Sequence, residues 1–231
     1  MPDDWTRALA IAAHPDDMEF GAAGAIAAWT AAGKSVSYLL VSRGEAGIDG
    51  MRPEEATKIR EDEQRASARI VGVDEVEFLD YDDGAIEYGL ALRRDLAAAI
   101  RRHRPELIIT FNHRESTFTG KWNSPDHRNT GLAVLDAVGD AGNRWIFTDL
   151  GTDPWTGVRH VAVAGSPEPT HAVDISETID TAVASVEAHA AYLKGLGLPP
   201  GAARGPLESF AAGTGERFGG RPAIPFELVN V

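Results

Sequence analysis

The chain has 231 residues, 43% of them hydrophobic and 25% charged, the balance of an ordinary soluble protein able to bury a substantial core. Its formal charge of −13 argues against nucleic acid and anionic membranes as partners, since both reward a basic surface. Cysteine is absent, which excludes disulfides, thiolate metal sites, iron–sulfur clusters and thiol nucleophiles; a transition metal must be held by His, Asp, Glu and water.

The opening Met1-Pro2-Asp3-Asp4-Trp5 lacks the basic and apolar regions of a signal peptide, and no apolar run approaches a membrane span, so a cytoplasmic protein is expected. In chain order, β-branched apolar runs predict strands at 8–13, 36–42, 76–80, 107–111 and 160–164. Segments of helical period fall between them at 20–32, 53–71, 90–103 and 126–141. This alternation predicts an α/β fold, a Rossmann-like, mostly parallel sheet flanked by helices. On the helix at 53–71 the apolar stripe is read through Ala56, Ile59, Ala66 and Ile70, with Arg60 and Glu63 beside it as a structural ion pair. Beyond residue 139 the pattern loosens into loops, a strand at 171–175 and a long helix at 176–194 capped by Ser176. A Gly/Pro-rich break at 195–205, a short helix near 207–212 and a strand at 224–229 follow. One domain is expected, with its core at about 7–194 and a C-terminal extension, 195–231, wrapped on it.

Ligands of open parallel sheets collect beyond the carboxyl ends of the strands. The segments that follow the first four strands carry His14, Asp16 and Asp17; Ser42, Arg43 and Glu45; Asp80, Asp82 and Asp83; and Asn112 with His113. His14 and Asp17 lie across a proline-fixed turn, with Asp17 near a helix start whose positive end favours an ionised carboxylate. On spacing alone, an Asx turn with a hydrogen-bonded His explains this pair equally well. His127 turns the balance: Ser124 suits an N-cap and Pro125 a first helical position, which brings His127 to the same rim. Two imidazoles and one carboxylate leave a tetrahedral ion an open position, as in catalytic zinc sites, although iron, cobalt or manganese would accept the same donors. His113, His160 and His171 are read as local hydrogen-bonding residues, and His103 and His189 as surface residues. Phe20-Gly21-Ala22-Ala23-Gly24 lacks the Gly-x-Gly-x-x-Gly spacing of a dinucleotide site, and the acidic pair before it would repel a pyrophosphate.

Ala13-His14-Pro15-Asp16-Asp17 followed by Met18-Glu19-Phe20-Gly21, with Pro125-Asp126-His127 later, resembles the LmbE-like or PIG-L family of zinc-dependent N-deacetylases. The segments 42–47, 60–63, 78–80 and 83–84 extend the likeness over roughly residues 7–190. The resemblance implies zinc on His14, Asp17 and His127, with Asp16 as the general base that activates zinc-bound water against an acetamide. Arg43, Glu45, Asp83, Trp122 and Ser124 are the candidate substrate-binding residues. Many members carry His-Pro-Asp-His, whose first His stabilises the oxyanion and is oriented by the Asp. That Asp is Asp126, the second candidate catalytic residue, but the His position holds Ser124, whose neutral hydroxyl stabilises negative charge less well. Asn123, His113 and His171 stay open as replacements. The expected activity is N-deacetylation of a small-molecule amino sugar or glycoconjugate, giving acetate and a free amine; a homo-oligomer is left open. The alternative is a metal-containing ligand-binding protein of the same fold whose turnover was impaired by the change at Ser124.

Overall fold

The first strand, β1 (Arg7–Ala12), is buried from Ala8 onward. Ala8, Ala10 and Ala12 enter one apolar cluster and Leu9, Ile11 and Ala13 the other, the two-residue period of a strand covered on both faces. The computed structural model describes residues 1–231. Around β1 lie β2 (Ser35–Leu40), β3 (Val76–Phe78), β4 (Leu107–Phe111), β5 (His160–Ala164), β6 (His171–Asp174) and β7 (Ala223–Asn230), in the order β3-β2-β1-β4-β5-β7-β6. The first five strands pair in parallel, while β7 runs antiparallel to both β5 and β6. The result is a single α/β domain with a mostly parallel sheet, and β7 sits inside that sheet.

The helices are α1 (Asp17–Ala31), α2 (Pro53–Ile70), α3 (Leu90–His103), α4 (Pro125–Gly142), α5 (Ile179–Glu187), α6 (Ala190–Gly195) and α7 (Arg204–Arg217). Met18, Ala22 and Ile26 of α1 fill one cluster; Leu92, Leu96 and Ile100 of α3, with Ala133 and Ala137 of α4, fill the other. Gly24 lets α1 lie close to the chain after β6, where an added Cβ would meet Ile175 at 3.0 Å. From β1 the chain runs outward to β3 and resumes at β4 on the other side of β1. The crevice between the carboxyl ends of β1 and β4 is therefore a topological switch point, where such sheets bind ligands. No helix is long and apolar enough to cross a membrane.

Three expectations are corrected. The buried face of α2 runs through Ala56, Arg60, Gln64, Ser67 and Ala68, while Ile70 is exposed. The stripe is rotated because the neighbours of α2 demand polar partners rather than apolar ones. The helix expected at 176–194 is two helices, α5 starting after Thr178 and α6 after His189. His189 and His103, expected at the surface, are withdrawn from it: His189 is fully buried, and His103 pairs with Glu77 at 2.9 Å.

Candidate metal centre

Between β1 and α1 the chain turns at His14-Pro15-Asp16-Asp17. Asp16 adopts φ +91°, a left-handed conformation that costs a non-glycine residue about 1–3 kcal/mol unless its surroundings enforce it. They do. Its N–H donates to Gln64 Oε1 at 3.0 Å, its carbonyl accepts from the Phe20 N–H at 3.0 Å, and its carboxylate meets Arg60 Nη2 at 2.5 Å. Arg60 also donates to the Pro15 carbonyl. Gln64 in turn donates to Glu19 at 2.8 Å, and the other Glu19 oxygen lies 3.6 Å from His189. The polar stripe of α2 thus serves the turn after β1. Arg60 pairs with Asp16 rather than with Glu63, whose carboxylate accepts the Ala191 N–H at 2.5 Å at the start of α6.

His14, Asp17 and His127 bring one donor atom each to within 4.8 Å of the others. Asp17 Oδ1 is 3.0 Å from His127 Nε2, and Asp17 Oδ2 is 3.6 Å from His14 Nδ1. The remaining imidazole nitrogens are occupied from behind. His127 Nδ1 lies 3.1 Å from Asn123 Oδ1, and His14 Nε2 lies 3.1 Å from both Asp83 and Asp126. Outer partners of this kind fix which nitrogen of each ring faces an ion. A second grouping, His14 with Asp83 and Asp126, is also close enough for an ion. Its carboxylates are already engaged, Asp126 by the Gly84 and Ile86 N–H groups and Asp83 by the Ala46 N–H. The first set, two imidazoles and one carboxylate, fits a divalent transition metal better.

The electrostatics agree. Burial opposes charge on Asp17, but the two imidazoles hold its carboxyl far below the usual range. Burial likewise opposes protonation of His14 and His127, yet the carboxylates around them raise both, His14 strongly. Asp16 differs: burial, reinforced by Asp17 and only partly offset by Arg60, lifts its carboxyl to about 7.

A cavity of about 390 Å³ opens over these groups, walled by the three metal candidates with Asp16, Asp83, Ser124, Arg60, Tyr192, Phe20, Phe111 and Gly47. Among the candidate substrate contacts, Asp83 and Ser124 line it. Arg43 instead turns to Glu61, the Leu79 carbonyl and Asp80, Glu45 accepts the Asp83 N–H, and Trp122 is 70% exposed beneath Arg128. Asp126 lies behind the cavity and faces His14, while Ser124 caps α4 by accepting the Asp126 N–H at 3.2 Å. Of the residues considered as replacements at position 124, Asn123 holds His127, and neither His113 nor His171 lines the cavity.

Sequence reasoning missed Tyr192, Gln64, Glu19 and His189. Burial and the nearby Asp16 charge raise the Tyr192 phenol, so it keeps its proton as a donor on the cavity wall. Only Glu19 had a signal, its place two residues after Asp17 in the first motif.

The family model described as PIG-L, GlcNAc-PI de-N-acetylase, matches residues 9–138. Diacetylchitobiose deacetylase of Thermococcus kodakarensis is 31% identical over 195 residues, 81% of this chain and 70% of that protein. Among solved structures, N,N'-diacetylchitobiose deacetylase of Pyrococcus horikoshii in complex with its inhibitor MPG has a TM-score of 0.88 at 24% identity, covering 98% of this chain and 85% of that one. GalB, the 4-carboxy-2-hydroxymuconate hydratase of Pseudomonas putida, has a TM-score of 0.75 at 19% identity, covering 98% and 97%. These two likenesses are of fold, and the second attaches to a different reaction, so the chemistry must be argued from the site.

Proposed function

The chain belongs to the PIG-L family, and on that premise we propose that it is a metal-dependent N-deacetylase acting on N-acetylglucosamine units of a saccharide or glycoconjugate. The observation that carries this reading is Asp16, a buried carboxyl fixed by Arg60 and Gln64 that shares one cavity with three candidate metal donors. His14, Asp17 and His127 would hold the ion, zinc or another divalent transition metal. When bound, such an ion supplies a Lewis acid that polarises the acyl oxygen and acidifies water.

Asp16 takes the proton that the attacking water loses and passes one to the departing nitrogen, so amide and water become acetate and a free amine. Arg60 and Gln64 hold Asp16 in place; Asp83 and Asp126 hold His14, and Asn123 holds His127. Ser124 and Tyr192 are the hydroxyl donors available to the acyl oxygen. A binding protein without turnover would have no need of a base beside the metal, and Asp16 is held in that place by Arg60 and Gln64.

The test is acetate release from N,N'-diacetylchitobiose and N-acetylglucosamine by zinc-loaded protein, with Asp16→Asn as the control. Asn tolerates the left-handed backbone, so the variant removes the base without adding strain. The rate should fall about a hundred- to ten-thousandfold while zinc stoichiometry is unchanged. Loss of zinc would make Asp16 a ligand, and undiminished acetate release would remove it from the mechanism.

A further inference from the structure

Beside the metal cavity lies a second chamber of about 350 Å³, and no charged side chain lines it. The two share Phe20 and Phe111 as wall residues, so the chamber adjoins the space above the candidate metal donors. The Phe111 ring stands edge-on to His127 with centroids 4.9 Å apart, which places this wall of the chamber one ring away from a metal candidate. That ring is seated on two glycines. A Cβ at Gly21 would come within 2.7 Å of it, and one at Gly165 within 3.0 Å. The far wall is Leu193, Leu198, Ala203, Leu207 and Phe210, all beyond residue 138, where the family match ends. Phe20, Phe118 and Leu198 at the rim are 37%, 56% and 40% exposed.

An apolar hollow that adjoins a polar reaction site and keeps large hydrophobic side chains at its rim has the make-up of a ligand subsite. An acetyl methyl would leave nearly all of it unused. We infer that the chamber receives a hydrocarbon chain carried by the substrate close to the scissile amide, so that the preferred substrate is an amphiphilic N-acyl amino sugar rather than a fully polar one. This inference rests on the amide-hydrolase reading of the metal cavity. The chain is attached either as the acyl group itself or as an alkyl group on the glycosidic oxygen; both present the same hydrocarbon to the same wall.

Two substrate series separate these attachments: N-acetyl to N-octanoyl glucosamine, and methyl to octyl glycosides of N-acetylglucosamine, all below their micellar concentrations. With metal-loaded protein, kcat/KM should rise about fourfold per methylene in one series until the chamber fills, equivalent to about 0.8 kcal/mol for each buried methylene. The series that rises identifies the attachment. Leu198→Asp and Ala202→Trp, at partly exposed wall positions, should each flatten the ratio of long- to short-chain kcat/KM within the same variant. A flat ratio in both series, with the short-chain members turned over, overturns the inference. Calorimetric titration of Asp16→Asn protein with the octyl and methyl glycosides gives a readout that needs no turnover. Tighter octyl binding without amine release from any compound keeps the chamber and rejects the hydrolase reading. Equal binding of the two glycosides, with no chain-length effect in the acyl series, rejects the chamber.

Discussion

Arg60 Nη2 lies 2.5 Å from Asp16 Oδ1, and the guanidinium carbon lies over the Tyr192 ring, 3.9 Å from its centre. The cation is buried, and the loop after β2 leaves no room beside it: a Cβ at Gly47 would fall 2.1 Å from Nη1. Its charge is answered by the carboxylate proposed as the base, so the pair sets both the orientation of Asp16 and the ease with which it ionises.

Arg60→Lys keeps the charge but loses the planar fork and the stacking on Tyr192, so the substitution is not conservative here. The Asp16 carboxyl should then rise further, because burial still opposes its ionisation and the ammonium makes a looser contact with it than the guanidinium fork. At neutral pH kcat/KM should drop about tenfold or more, with part of the loss recovered in alkali. The check is the pH profile of kcat/KM from about pH 5 to about pH 9. An acid limb at the wild-type position would show that Arg60 does not tune this group.

Gln64 joins Glu19 to the backbone of Asp16 from inside the protein. Gln64→Met keeps the volume but strands the Asp16 N–H and a Glu19 oxygen, each at a cost of about 1–3 kcal/mol. The melting temperature should fall by about 2–4 °C for each kcal/mol in a chain of this size. If the bond also enforces the left-handed Asp16, kcat should fall several-fold with KM and metal content little changed. A lower melting temperature with wild-type kcat would reduce Gln64 to a structural residue.

The convergence of the candidate metal donors was legible because they lie in two short segments, each at a strand or helix end where a polar cluster stands out from its neighbours. The strands at 107–111 and 160–164 were legible because an apolar run closed by polar residues admits few other readings. What supports the donors was not legible. Arg60, Gln64 and Ser67 occupy the buried face of α2, and a rule that buries apolar residues turns that helix the wrong way. His189 sits among alanines and reads as a surface residue, yet it closes the junction of α5 and α6 against Glu19, a contact between segments far apart in sequence. Tyr192 reaches the cavity from α6, whose first N–H groups are held by Glu63 of α2. Such long-range pairings leave no local period to read.

Glu106 offers a pH prediction away from the site. Its Oε2 accepts the Thr6 N–H at 2.6 Å and the Arg7 N–H at 3.1 Å, anchoring the start of β1. Those backbone donors lower its carboxyl from 4.5 to about 2. A pKa depressed on folding stabilises the protein above the unfolded value and ceases to do so as pH falls through the folded one. Glu106→Gln should therefore be less stable than wild type at pH 7, with the gap closing between about pH 4.5 and about pH 2. Urea unfolding at the two ends of that window measures it; a gap of constant size would mean that shape rather than charge matters at this position.

Metal uptake should itself be coupled to protons. Without an ion, His14 is held above its ordinary value by Asp126, Asp17 and Asp83, and His127 by Asp17, so both carry protons at slightly acidic pH. A metal accepts only the neutral imidazole, so binding must expel those protons, and affinity must weaken as pH falls. Calorimetric zinc titrations near pH 6.5, in buffers of different ionisation enthalpy, should report release of about one to two protons per ion. Asp126→Asn removes one of the carboxylates that keep His14 protonated and should lower that number. It also removes one of the two carboxylates behind Nε2, so zinc affinity itself should fall, by about tenfold. Proton release unchanged in the variant, or zinc affinity independent of pH in the wild type, would place the ion on other ligands.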